Sequence, residues 1–184
     1  PEAERQEAAD LADLLTPVSA FLRIGGPDAE SFLLESVEGG ARLARYSFLG
    51  RDPFLLLTIG NGRVVVEDRR SGERLETEST DPVGVIRDRL SRYRAVRIPG
   101  LPRFTGGAVG WFAYDTVRWR ENIPETTQDD QHHGDSRLIF YDTLIAFDHA
   151  RRRVIVIANA HVTDTDANSL QKSYTEARDR IDVL

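Results

Sequence analysis

The sequence contains no cysteine among its 184 residues. This absence excludes disulfide bridges, thiolate metal sites and a cysteine nucleophile. A surplus of positive charge is lacking too, because 30 acidic residues outnumber 24 basic ones and the formal net charge is -6. Such a chain has no field that attracts phosphate backbones or anionic lipids. We therefore expect neither nucleic acid nor a membrane surface as a partner.

Long hydrophobic runs are missing as well. The longest apolar stretches, such as 54–59 and 154–158, have the length of strands and fall far short of the ~20 residues of a transmembrane helix. The first five residues are polar and acidic, whereas an export signal is basic and then apolar. These features predict a cytoplasmic protein. The length and the 40% hydrophobic content predict a single domain over 1–184.

Apolar periodicity predicts several helices. Prolines mark their limits: Pro17 is predicted to end the first helix, whereas Pro27 and Pro82 stand in the first turns of the second and third. Asp81 supplies an N-cap for the third helix. The predicted helices cover residues 8–15, 27–34, 82–93 and 170–184.

Alternating or β-branched stretches predict a meander of hairpins. They are separated by turn residues such as Gly60-Asn61-Gly62 and Arg70-Ser71-Gly72. The predicted strands cover residues 18–24, 45–50, 54–59, 63–67, 74–78, 105–112, 138–147 and 153–160. Antiparallel neighbours with interspersed helices favour a layered α+β architecture over a doubly wound parallel sheet.

The block Gly106-Gly107-Ala108-Val109-Gly110 has two interpretations. A dinucleotide-binding loop would need a glycine where Thr105 stands and a helix where aromatic residues follow. A strand whose backbone packs closely against a neighbour fits both features. We therefore interpret the glycines as structural and expect Trp111, Phe112 and Tyr114 to fill the core.

Two polar features invite a chemical interpretation. His149 lies at a turn without an accompanying nucleophile motif, so a turn-capping role is preferred to that of a general base. The acidic loop near residue 130 has metal-ligand chemistry, but adjacent histidines point in divergent directions, so a solvated loop is preferred. Its candidate ligands are Asp129, Asp130, His132, His133 and Asp135. The sequence therefore assigns no catalytic residue and no metal site.

One block of the chain brings complementary polar groups together. A predicted helix ends at Glu35 and Ser36, and a glycine turn returns the chain to Arg45. The carboxylate and the hydroxyl can accept hydrogen bonds from an ammonium group, and the guanidinium can donate to a carboxylate. Leu43 and Tyr46 can cover an apolar side chain. A site for a free amino acid is one interpretation, and a helix end with solvated charges is the other.

Three motifs occur in the order and with the spacing of those in a known family. The first is Leu34-Glu35-Ser36-Val37-Glu38-Gly39-Gly40, followed by Arg45-Tyr46-Ser47-Phe48-Leu49-Gly50. The second runs from 102 to 115, and the third from 142 to 149. Together they resemble the amino-terminal region of the anthranilate synthase component I family. Aminodeoxychorismate synthase component I has a weaker version of this pattern and stays open as an alternative.

The resemblance implies a fold and an activity. The fold is αββα, with two antiparallel sheets packed orthogonally and flanking helices. The activity is that of a lyase in tryptophan biosynthesis, which converts chorismate and ammonia to anthranilate and pyruvate with Mg²⁺. A glutamine amidotransferase subunit supplies the ammonia, and L-tryptophan is the feedback inhibitor. The chorismate and Mg²⁺ ligands lie in a carboxyl-terminal catalytic domain outside this sequence, so this chain alone is expected to hold no cofactor and to be inactive.

The resemblance also implies a tryptophan pocket. In the family this pocket uses the serine of the Leu-Glu-Ser motif and the strand around Arg-Tyr-Ser. The corresponding residues here are Glu35, Ser36, Leu43, Ala44, Arg45 and Tyr46. A role as a scaffold for the catalytic domain or as a surface for the glutaminase stays open beside the regulatory one.

Overall fold

The computed structural model describes residues 15–25, 30–35, 45–124 and 133–184. No helix in this part of the chain is both long and apolar enough to cross a membrane. The strands are β1 (Phe32–Leu34), β2 (Tyr46–Gly50), β3 (Leu55–Gly60), β4 (Arg63–Asp68), β5 (Arg74–Glu78), β6 (Gly107–Phe112), β7 (Ser136–Tyr141), β8 (Thr143–Asp148) and β9 (Arg153–Ala158). The helices are α1 (Pro17–Ile24), α2 (Pro82–Ser91) and α3 (Ala167–Asp182), with a 3-10 helix over Tyr114–Trp119.

Backbone contacts divide the chain into two compact units. The first consists of Pro1–Pro53, Pro99–Gly106 and Tyr141–Leu184, and the second of Phe54–Ile98 and Gly107–Phe140. One sheet has the strand order β1-β2-β8-β9, and the other has the order β5-β4-β3-β7-β6. The predicted α+β fold with two antiparallel sheets and flanking helices is confirmed. The orthogonal packing of the sheets and the single domain over 1–184 stay predictions.

The core of the first unit joins α1 to one face of its sheet. Ala20 of α1 is buried in a cluster with Leu49 of β2 and with Ile145 and Phe147 of β8. The apolar area removed from water here is the main stabilising term. It anchors β2 and β8 as neighbours, which matters because the candidate site lies at their ends.

The core of the second unit joins α2 to the other sheet. Ile86 of α2 is buried in a cluster with residues of β3, β4 and β7, and Val85 packs against it. Asp81 caps the helix as predicted, since its carboxylate accepts a hydrogen bond of 2.9 Å from the amide of Gly84. In the β3–β4 turn, Asn61 and Gly62 both have a positive φ. A two-residue hairpin turn needs this conformation to match the right-handed twist of its strands.

Helix α1 replaces a predicted strand. The apolar alternation over 18–24 was compatible with a strand, but a capping box decides otherwise. The amide of Ser19 donates to Thr16 Oγ1 at 3.1 Å, and the amide of Thr16 donates to Ser19 Oγ at 2.9 Å. Pro17 occupies the first turn, so it begins a helix and does not end one. The helix predicted over 8–15 lies, apart from Leu15, outside the described residues.

Strand β1 replaces the second predicted helix. A run of only three apolar residues carries no period, and pairing with β2 decides its structure. Phe32 stands opposite Gly50 in the register, and Leu34 stands opposite Phe48. The ring of Phe32 packs edge-on against Tyr141, with 4.8 Å between the centroids. The predicted start of that helix, at Pro27, lies outside the described residues.

The long strand predicted over 138–147 is two strands. Strand β7 pairs with β3 in one sheet, whereas β8 pairs with β2 and β9 in the other. The chain changes sheets at Asp142, whose side chain is buried. Its main-chain carbonyl accepts hydrogen bonds from both nitrogens of Asn159, at 2.8 and 3.0 Å. Asp142, the acidic residue inside the otherwise mostly apolar stretch 138–147, was the only marker of this change in the sequence.

Strand β6 confirms one prediction and overturns another. A Cβ at Gly110 would overlap the carbonyl oxygen of Arg137 in β7, so this glycine permits a close approach of two backbones as interpreted. The aromatic residues after it do not fill the core. Trp111 is 41% exposed, Phe112 54% and Tyr114 93%. The reason is position, because β6 forms an edge of its sheet.

Candidate functional site

The start of β2 and the end of β8 form the candidate site. Tyr46 stands opposite Asp148 in the antiparallel register. One residue further out, the amide of His149 donates to the carbonyl oxygen of Arg45 at 2.9 Å. This bond extends the ladder past the last strand pair. The first and third sequence motifs, which lie about 100 residues apart in the chain, therefore meet here.

Arg45 and Asp148 form a two-point ion pair. The guanidinium donates through Nε to Oδ1 at 2.9 Å and through Nη2 to Oδ2 at 2.7 Å. The Asp148 side chain is fully buried, whereas that of Arg45 is 32% exposed. Parallel charge-assisted hydrogen bonds of this kind fix orientation as well as distance. Arg153 adds a third cationic contact, with its Nε 3.5 Å from Oδ2.

The ion pair shifts the ionisation of both partners. Hydrogen bonds from Arg45 lower the pKa of Asp148 to about 2, and they outweigh the burial that would raise it. The same hydrogen bonds raise the pKa of Arg45. Asp148 is therefore a permanent anion at neutral pH, and Arg45 a permanent cation.

A second polar pair lies beside the first. Ser47 Oγ is 2.8 Å from Nε2 of His149, and the imidazole tautomer decides which atom donates. A serine next to a histidine can form a nucleophile–base pair, but Ser47 is only 2% exposed. The pair therefore ties β2 to the turn after β8. The hydrogen bonds described for His149 go to Ser47 and to the carbonyl of Arg45, so its turn-capping role stays a prediction, and its partner Ser47 was missed.

The six predicted ligand residues fall into two groups. Glu35 is exposed and follows β1 directly, and Arg45 lies over the ring of Tyr46, with 4.8 Å from its guanidinium carbon to the centroid. These three residues are described. Ser36, Leu43 and Ala44 lie outside the described residues.

The role predicted for Arg45 changes in one respect. The sequence suggested that its whole fork of donors meets the carboxylate of a ligand. Two of its nitrogens, Nε and Nη2, donate to Asp148 instead. Within the described residues, Nη1 has no such partner and is the nitrogen left for a ligand. Asp148 itself was part of a sequence motif, and an acidic residue directly after the apolar run 144–147 was the signal of a buried partner.

A cavity of about 250 Å³ is lined in part by Asp148 and His149. Its lining combines apolar side chains with two arginines and one aspartate. Glu35, Arg45 and Tyr46 do not contribute to it. The lining residues are Leu15, Thr16, Pro17, Phe147, Asp148, His149, Arg152, Arg153 and Val154.

A further polar cluster lies at Asp142 and joins α3 to the sheet. Arg180 of α3 approaches Oδ2 of Asp142 with its Nη2 at 3.4 Å and donates through Nε to Thr143 Oγ1 at 3.1 Å. His161 Nε2 lies 3.6 Å from the same carboxylate oxygen. In the part of the chain that the structure describes, no group of three or more His, Cys, Asp or Glu side chains is placed to hold a metal ion. This cluster is therefore assigned to stability.

Comparison with known proteins places the chain in a family context. A family model for chorismate binding enzymes matches residues 40–181. Anthranilate synthase component 1 of Acetivibrio thermocellus is 36% identical over 173 residues, which cover 94% of this chain and 34% of that protein. Its counterpart in Synechocystis sp. is 34% identical, over 95% of this chain and 34% of that protein.

A solved structure shows the same fold. The chain is similar to the crystal structure of anthranilate synthase component I from Streptococcus pneumoniae TIGR4, with a TM-score of 0.54 and 25% identity. The match covers 92% of this chain and 35% of that one. The chain thus spans about a third of the length of the relatives it matches.

Proposed function

This chain belongs to the family of chorismate binding enzymes, and we propose that it forms the amino-terminal, regulatory part of an anthranilate synthase component I. The whole enzyme would convert chorismate and ammonia to anthranilate and pyruvate. The 36% and 34% identity to two proteins of that name supports the assignment. So does the order of the three sequence motifs.

Catalysis belongs, in this proposal, to residues beyond these 184. We assign Mg²⁺ and chorismate to that carboxyl-terminal catalytic part, as the resemblance to the family implies. A glutamine amidotransferase subunit would supply ammonia, and a cytoplasmic location is part of the same proposal. The chain itself would sense the end product of the pathway, L-tryptophan.

The proposed tryptophan site contains the six residues Glu35, Ser36, Leu43, Ala44, Arg45 and Tyr46. The observation that carries it is the pairing of β1 with β2, in which Leu34 stands opposite Phe48. Glu35 follows Leu34, and Ser47 precedes Phe48, so the antiparallel geometry brings the end of β1 to the start of β2. A carboxylate, a cation and an aromatic ring are thereby close in space.

These groups suit the parts of a free amino acid. Glu35 can accept hydrogen bonds from the ammonium group, and Nη1 of Arg45 can donate to the carboxylate. The ring of Tyr46, with Leu43, can cover the indole. Because Asp148 engages the rest of the guanidinium, the proposed carboxylate contact is one bond and not a fork.

Replacing Ser36 with arginine tests this proposal. In the protein that carries this chain, expressed at its full natural length, Ser36→Arg is expected to raise the half-inhibitory tryptophan concentration at least ~100-fold, the loss of about 2.7 kcal/mol of binding. Turnover of chorismate without tryptophan should stay near that of the wild type, because the catalytic residues lie elsewhere. Steady-state formation of anthranilate measures both quantities.

The matched control is the same substitution at Ser91. This residue is exposed at the end of α2, far along the chain from the proposed site. Ser91→Arg should leave the half-inhibitory concentration unchanged. A Ser36→Arg enzyme with wild-type sensitivity to tryptophan would refute the proposed site. A full-length enzyme that forms aminodeoxychorismate in place of anthranilate would move the chain to the folate branch.

A further inference from the structure

Arg45 is attached to the sheet at two points. Its carbonyl oxygen accepts the hydrogen bond from the amide of His149 at 2.9 Å. Its side chain donates two hydrogen bonds to the fully buried carboxylate of Asp148, at 2.9 and 2.7 Å. Backbone and side chain are therefore both fixed. A change in the direction of the guanidinium would break two charge-assisted bonds together.

Asp148 is itself held at more than one point. The buried end of the attachment is Asp148, which also receives the Nε of Arg153 at 3.5 Å and the amide of Arg151 at 3.3 Å. Asp148 is thus the more rigid partner of the pair.

We propose that Asp148 is a positioning residue for tryptophan inhibition: it contacts no ligand, but it holds the guanidinium of Arg45 in the arrangement that binds tryptophan. This inference rests on the proposed function of the chain. It adds a residue outside the six that form the proposed site, and it assigns a role to the third sequence motif.

The physical basis is pre-organisation. A site whose competent arrangement is only partly populated binds its ligand more weakly in proportion to that fraction. Without the carboxylate, the guanidinium of Arg45 is released from its buried partner. It is then free to pair with Glu35, the exposed carboxylate that the ammonium group of the ligand would need. Both effects weaken inhibition by tryptophan and leave the turnover of chorismate unchanged.

Asp148→Asn in the full-length enzyme is the first test. We expect the half-inhibitory tryptophan concentration to rise about 10-fold, as for a fall in the competent fraction to roughly a tenth, while kcat and KM for chorismate stay unchanged. The matched control is Asp52→Asn. It makes the same atomic change in another arginine–aspartate pair, Arg51–Asp52, whose carboxylate is 71% exposed. This control should keep wild-type inhibition.

A double-mutant cycle tests whether Asp148 acts through Arg45. In an Arg45→Gln background, Asp148→Asn is expected to raise the half-inhibitory concentration less than about twofold, because the residue that it positions is already gone. A full 10-fold rise in that background would overturn the proposal.

Asp148→Glu keeps the charge and shifts it by one methylene. This variant is expected to raise the half-inhibitory tryptophan concentration about threefold. It replaces the first test if Asp148→Asn does not fold.

The outcomes separate this inference from the function on which it rests. A wild-type enzyme that tryptophan does not inhibit would overturn both. A wild-type enzyme that is inhibited, together with Asp148→Asn and Asp148→Glu enzymes that are inhibited equally well, would overturn the positioning role alone. Weaker inhibition of the Asp148 variants with unchanged kcat and KM supports it, because a variant that is largely unfolded would lose turnover as well.

Discussion

Replacing Asp148 with asparagine is expected to lower the free energy of unfolding at pH 7 by about 3 kcal/mol, the low end of the range for breaking a buried ion pair, because the carboxylate is buried but the guanidinium is partly exposed. The side chain is fully buried and accepts both bonds from Arg45. An asparagine would offer one acceptor oxygen and turn an N–H group towards a cation. Urea denaturation followed by tryptophan fluorescence measures the loss. Asp52→Asn, at an exposed pair, should cost less than about 1 kcal/mol.

The same difference in stability should depend on pH in a defined direction. The pKa of Asp148 is lowered from 3.8 to about 2 by its hydrogen bonds with Arg45. A carboxyl group whose pKa is depressed in the folded state stabilises the fold above its unfolded pKa, and this contribution is lost as the pH falls through the folded pKa. The gap in the free energy of unfolding between wild type and Asp148→Asn should therefore be constant from about pH 5 to 8. It should narrow between pH 3.8 and about 2, and a gap that widens on acidification would contradict the ion pair.

Replacing Gly110 with alanine is expected to lower the free energy of unfolding by about 3 kcal/mol. This is the upper end of the range for forcing extra atoms into a packed region. A Cβ at this position would overlap the carbonyl oxygen of Arg137 in the neighbouring strand β7. Backbone atoms of a hydrogen-bonded ladder cannot rotate away as a side chain can. We expect the thermal midpoint, measured by circular dichroism, to fall by roughly 10 °C.

Gly72→Ala is the matched control for this substitution. Gly72 has a positive φ of 75°, and nothing lies within 4 Å of the position that its Cβ would take. Gly72→Ala should therefore lower the free energy of unfolding only by the backbone penalty of about 1 kcal/mol. Equal losses at the two positions would show that the approach of Arg137 is not what requires glycine at 110.

Local sequence signals predicted the second unit well. The hairpins of β3, β4 and β5 have turn residues with strong intrinsic preferences, of which Asn61 and Gly62 are the clearest. Helix α2 has an acidic N-cap and a proline in its first turn. In each case the deciding interactions lie within a few residues of one another. The local sequence therefore contains all the residues that make these interactions.

Predictions near the amino terminus failed where tertiary contacts or a cap decide. The alternation over 18–24 fits a strand by pattern, but the reciprocal hydrogen bonds of Thr16 and Ser19 favour a helix. The run 32–34 is too short to show a period, and its pairing with β2 is a long-range contact. The change of sheet at Asp142 is likewise a property of the topology and not of local preference.

The sequence indicated several residues of the candidate site, but it did not show which of them contact one another. Arg45 was singled out as a cation for a ligand, and Asp148 and His149 belonged to a separate motif. Their contact joins residues 103 positions apart, and no local pattern reports it. The general lesson is chemical: a buried aspartate at the end of an apolar strand requires a cationic partner, and the sequence alone does not say which of many arginines that partner is.

Hydrogen–deuterium exchange of the full-length protein, with and without saturating tryptophan, tests the central claim most directly. We predict that tryptophan slows amide exchange in peptides that cover 34–47 and 146–153, because it binds beside β2 and depends on the contact between Arg45 and Asp148. Exchange in the β3–β4 hairpin should not change. Slower exchange that is confined to peptides outside 34–47 would contradict the placement of the regulatory site.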